Sequence, residues 1–151
     1  IRYTVDFIEQ TTGLTDIGAY LTLLLELDAF FLNEDRHTNN LAVIRNEKTK
    51  EFRLCPIFDN GLALLSDIND YPLDKDVYDY IRRVQAKPFD LDFDVQVEAA
   101  EELYGMQLKL SFSRKEISKE LKFVTELYGE KIYRRVEQVL FEQMRKYQIY
   151  F

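Results

Sequence analysis

Residues Asn33–Gly61 read NEDRHTNNLAVIRNEKTKEFRLCPIFDNG. Leu41–Ile44 has the apolar, β-branched character of a strand, and Phe52–Phe58 reads as a second. The polar run Asn46–Lys50 between them is a turn, so the two strands form a hairpin. Asn40 precedes the first strand and Asp59 follows the second, at near mirror positions about the turn. The hairpin therefore returns Asp59 to the end that carries Asn40 and Asp35. One amide oxygen and one carboxylate there suit a hard divalent cation, such as Mg2+ carrying a nucleotide. Asp35 is left as a candidate base for a substrate hydroxyl.

An apolar run, Leu21–Leu32, leads into this stretch. With Thr15 or Asp16 as cap it reads as a helix ending near Leu32, apolar on most sides and able to hold the Asp35 loop rigidly. Ile1–Gly13 begins without an initiator methionine, which points to a longer protein. After the hairpin, Leu62–Asp76 reads as an irregular loop and Asp76–Gln85 as a short helix stopped before Lys87-Pro88. Phe93–Tyr104 is a helix closed by Gly105. Ser113 and Glu116 form a capping box opening a helix to Tyr128, and Glu130–Tyr147 is amphipathic, with Ile132, Val136, Val139, Leu140 and Met144 on one face. The order predicts a single domain over residues 1–151, mainly α-helical and of the α+β class.

At 151 residues the chain can bury a real core. Its net charge of -7 argues against a general nucleic-acid-binding surface. No apolar run approaches the ~20 residues of a membrane span. The lone Cys55 forms no internal disulfide and fits a reducing, cytoplasmic setting. With one Cys and one His, a zinc site is not expected. Asp90, Asp92 and Asp94 alternate as calcium ligands do, but the glycine of an EF-hand loop is missing, and a solvated acidic loop is the simpler reading.

Asp35-Arg36-His37-Thr38-Asn39-Asn40, followed by Phe58-Asp59-Asn60-Gly61, resembles the catalytic core of HipA-like serine/threonine kinases. The match is a D-x-H-x-x-N loop and a later metal-binding aspartate beside a glycine. The leading helix, the hairpin, Cys55-Pro56-Ile57 and Lys87-Pro88-Phe89 are similar to that family as well. The resemblance implies a kinase-like carboxy-terminal lobe that transfers the ATP γ-phosphoryl group to a protein Ser or Thr. It implies Asp35 as catalytic base, and Asn40 and Asp59 as ligands of Mg2+ and, through it, of ATP. His37 and Arg36 are expected to order the loop. Lys87 reads most simply as a surface lysine, and Arg36 by default as a solvated ion pair.

The family's namesake carries a lysine immediately before the metal-binding asparagine; here that residue is Asn39. No Gly-rich phosphate loop and no strand with a nucleotide-pairing lysine is visible. The 151 residues alone are accordingly expected to bind Mg-ATP weakly or not at all and to turn nothing over. An amino-terminal lobe or an antitoxin-like partner, as in a toxin–antitoxin pair, would supply the rest. Asp35-Arg36-His37 also resembles the D-R-H-x-x-N of phosphoinositide kinases, and a non-catalytic module derived from a kinase lobe is a further alternative.

Overall fold

The computed structural model describes residues 1–151. In chain order the elements are α1 (Arg2–Thr12), α2 (Ile17–Phe31), a 3-10 turn (Thr38–Asn40), β1 (Val43–Arg45), β2 (Phe52–Leu54), α3 (Val77–Ile81), α4 (Phe93–Tyr104), α5 (Arg114–Glu120), α6 (Lys122–Tyr128), α7 (Glu130–Lys146) and a 3-10 turn (Gln148–Tyr150). This is a mainly helical α+β chain, as its patterning indicates. No helix is long and apolar enough to cross a membrane.

The centre is α2. Its apolar residues surround the axis, and Ile17, Leu21, Leu24, Leu25, Ala29 and Phe30 are all buried in one core cluster. Its packing against α4 is close because Gly18 has no side chain. A Cβ at that position would lie 2.4 Å from the Tyr104 ring. From the other side, Gln143 of α7 donates from Nε2 to the Ala29 carbonyl at 2.8 Å. The helix closes at Leu32, which adopts a left-handed conformation, with φ 52°.

The hairpin is antiparallel and pairs Val43 with Leu54, Ile44 with Arg53 and Arg45 with Phe52. Its second strand is shorter than Phe52–Phe58 because Pro56 has no N–H to continue a ladder. Asn46 Oδ1 accepts from the Lys48 and Thr49 amides at 2.9 and 3.2 Å and so forms the turn.

Other boundaries differ from the pattern. Helix α1 is an element for which the sequence reading makes no assignment. The Ser113 capping box forms as expected, yet the helix it opens breaks at Leu121 into α5 and α6, and no glycine or proline marks the break. Helix α3 stops at Ile81, although Val84 N still donates to Tyr80 O at 2.9 Å. Leu62–Asp76 has no regular element but is firmly held: Leu64 N donates to Phe31 O at 2.7 Å, and Arg135 donates to the Tyr71 and Pro72 carbonyls, both at 2.6 Å.

One buried acid makes the fold sensitive to pH. Glu26 on α2 is fully buried and accepts from the Gln107 and Leu108 amides at 2.9 and 2.6 Å. Burial pushes its carboxyl up to about 7, the two amide bonds pull it back, and neighbouring Glu101 of α4 raises it further. A raised carboxyl in the folded state means that the fold takes up a proton more readily than the unfolded chain. This stability is complete below about pH 4.5 and is lost as the pH rises through about 7. The loss should reach roughly 2–3 kcal/mol. Glu101→Gln keeps an oxygen for the Tyr150 hydroxyl, which donates to Glu101 at 3.0 Å, and removes the opposing charge. Thermal unfolding of this variant should depend less on pH, with a midpoint above wild type on the alkaline side. An unchanged pH profile would show that Glu101 does not act on Glu26.

Candidate functional site

The site is built outward from the last turn of α2. An aspartate inside an apolar helix needs partners, and Asp28 finds three bonds. Its Oδ1 accepts from Asn33 Nδ2 at 2.8 Å and Arg36 Nη2 at 2.9 Å, and its Oδ2 accepts from Arg36 Nε at 2.7 Å. All three side chains are buried. Burial raises the Asp28 carboxyl, and the Arg36 and Asn33 hydrogen bonds oppose that rise. The solvated pair that Arg36 suggests by default is therefore replaced by a buried, bidentate one. Such a pair fixes geometry more than it adds stability.

Arg36 also reaches across to the segment that leaves the second strand. Its Nη1 donates to the Phe58 carbonyl at 2.6 Å, and its Nη2 donates to Asn60 Oδ1 at 2.6 Å. These two acceptors flank Asp59. One guanidinium thus ties the Asp35–Asn40 loop to the Asp59 turn. Asp59 itself is exposed and left-handed, with φ 59°, a conformation that Asp and Asn tolerate better than most residues. Asn40 is 4% exposed, and its Nδ2 donates to the Asp35 carbonyl at 3.3 Å. Neither the Asn40 Oδ1 nor the Asp59 carboxylate takes a protein hydrogen bond, so both oxygens stay available.

Asp35 is half-buried. Its amide donates to Asn33 Oδ1 at 3.4 Å, and its carboxylate faces the ammonium of Lys87 at 3.1 Å. Next to it, Glu34 accepts a short hydrogen bond from the Tyr71 hydroxyl. Burial and that carboxylate both raise the Tyr71 phenol. His37 precedes the 3-10 turn, and its carbonyl accepts from Asn40 N at 2.8 Å. Its ring makes no hydrogen bond. Ordering of the loop by the His37 imidazole is thus not what the contacts show; the Arg36 guanidinium carries that role. His37→Gln should change the unfolding free energy by less than about 0.5 kcal/mol in urea titration. A larger loss would mean that the ring holds the loop in a way its contacts do not display.

Three participants escape the sequence reading. Asp28 lies inside the apolar helix, and its pairing with an arginine eight positions later has no local pattern to announce it. Lys87 appears as a surface lysine, and the Glu34–Tyr71 contact spans 37 positions with no local pattern to announce it.

No cluster of three or more His, Cys, Asp or Glu side chains gathers anywhere in the chain. The expected ligand oxygens, which the loop and the turn leave without a protein partner, are one amide, Asn40 Oδ1, and one carboxylate, Asp59. That set fits Mg2+, which characteristically takes one or two carboxylates and completes its shell with phosphate oxygens and water. The chain matches no family model, and no curated protein or solved structure is significantly similar to it.

Proposed function

We propose that this chain is the catalytic lobe of a HipA-like serine/threonine kinase, acting on ATP and Mg2+. The observation that carries the reading is the Arg36 bridge, which brings the Asp35–Asn40 loop and the Asp59 turn to one end of the hairpin. Asn40 Oδ1 and the Asp59 carboxylate would hold the metal. Mg2+, when bound, neutralises charge on the β and γ phosphates. The half-buried Asp35 carboxylate would orient a Ser or Thr hydroxyl and accept its proton. The hydroxyl oxygen forms its bond to the γ-phosphorus as the bond to the β–γ bridging oxygen breaks, and ADP departs with that electron pair. Catalysis of this kind is mostly positioning and charge stabilisation, which a rigid loop end serves.

The partner classes that follow are a protein substrate and a further nucleotide-binding lobe, or an antitoxin-like chain that substitutes for one. A non-catalytic nucleotide-binding module uses the same oxygens and is the second reading, since Asp35 is engaged by Lys87. Half a nucleotide site should hold Mg-ATP with a dissociation constant in the millimolar range, about -4 kcal/mol. Titrating the 151-residue chain with ATP, with and without Mg2+, and following backbone amide shifts tests this. Saturable, Mg-dependent shifts at residues 35–41 and 58–61 are expected. Shifts that ignore Mg2+, or that stay absent when a complementing nucleotide lobe is added, would overturn the reading. Incubation with a Ser/Thr peptide and a complementing nucleotide lobe then separates kinase from module.

A further inference from the structure

The Lys87–Asp35 contact is poorly explained as a stabilising pair. Its side chains are 49% and 39% exposed, and an ion pair so open to water adds little to folding. The backbone beneath Lys87 is nevertheless firmly placed. Val84 and Ala86 are buried, Ala86 N donates to Leu91 O at 2.8 Å, and Phe89 packs against the core. A fixed segment therefore delivers this ammonium to the loop across 52 positions of sequence.

The chemistry of the site needs such a cation. A nucleoside triphosphate brings several negative charges toward two carboxylates, Asp35 and Asp59. Arg36 is already committed: Nε and Nη2 to Asp28, Nη1 to Phe58 O, and Nη2 also to Asn60. Asn39 in the loop carries no charge. Lys87 has three N–H donors on a flexible four-carbon stem. One N–H can stay on Asp35 while the others reach an anion beside it.

We propose that Lys87 is the terminal-phosphate binder of this site, bridging the Asp35 carboxylate and the γ-phosphate of the nucleotide. This inference rests on the phosphoryl-transfer reading above. It sets Lys87 apart from Asn40 and Asp59, whose metal serves any di- or triphosphate. It also keeps Asp35 beside the phosphate that is to move.

The test compares Mg-ATP with Mg-ADP on wild type, Lys87→Met, Lys87→Arg and Asp59→Asn, by amide-shift titration into the millimolar range. Lys87 is exposed, so its variants should fold, and their unperturbed spectra verify this. Lys87→Met should weaken Mg-ATP about 10- to 100-fold and leave Mg-ADP nearly unchanged. Lys87→Arg should keep most of the preference for ATP. Asp59→Asn should weaken both nucleotides together. Equal loss of both nucleotides in Lys87→Met, or no loss of either, overturns the assignment of Lys87 while leaving the metal site standing. Absence of binding in wild type even with a complementing nucleotide lobe present instead overturns the phosphoryl-transfer reading, and the Lys87 assignment with it.

Discussion

Arg36→Met should destabilise the chain by about 3–5 kcal/mol, because it strands the buried Asp28 carboxylate without its cation. Native domains are held by about 5–15 kcal/mol, so one substitution in a loop would remove a large share of the whole. Urea unfolding measures it directly. The companion variant Asp28→Leu/Arg36→Met removes both charges, and it should lose clearly less than Arg36→Met alone. The remainder belongs to the Phe58 and Asn60 contacts, which neither replacement restores. A single-variant loss under about 1 kcal/mol would mean that the pair is hydrated in solution and that the loop is not anchored through it.

The second large effect follows from the proposed metal site. Asp59→Asn should reduce Mg-nucleotide affinity about 10- to 100-fold, because the anionic donor of the pair is lost and two neutral amides remain. Asparagine keeps the left-handed backbone accessible, so folding should be unaffected; Asp59 is exposed and makes no protein hydrogen bond. Asn40→Ala should cost affinity less, since a neutral ligand is removed. Calorimetric or amide-shift titration with Mg-ATP ranks the two. An Asp59→Asn chain that binds as wild type does would place the metal elsewhere.

Local chemistry wrote much of this fold legibly. Helix α4 runs from Phe93 to Tyr104 and stops at Gly105 as its periodicity indicates. The Ser113–Glu116 capping box forms with both of its bonds. The hairpin and its Asn46 turn follow from two apolar, β-rich runs and one side-chain oxygen. Each of these depends on residues a few positions apart. The break at Leu121 does not: no breaker residue marks it, and Leu121 packs against the core. The polar faces of α7 are similar. Arg135 and Gln143 look solvent-directed in the amphipathic pattern, yet both are buried because carbonyls of distant segments await them.

The candidate site divides in the same way. Asp35, Asn40 and Asp59 stand out in the sequence because a hairpin relates them by simple symmetry. Asp28, which orders the loop through Arg36, hides in an apolar helix, and Lys87 arrives from a segment 52 positions away. Contacts of that range leave no periodicity behind. The resemblance to HipA-like kinases implies roles for the first three residues without showing which contacts hold them together. The Arg36 network supplies that physical account.

Replacing Mg2+ with Mn2+ in the presence of ATP turns the metal into a distance probe, since its unpaired electrons broaden nearby amide signals. If Asn40 and Asp59 hold the ion, amides of residues 35–41 and 58–61 should broaden together, while the Asn46–Lys50 turn at the far end of the hairpin stays sharp. Broadening confined to one of the two segments, or centred on Asp90, Asp92 and Asp94, would contradict the account.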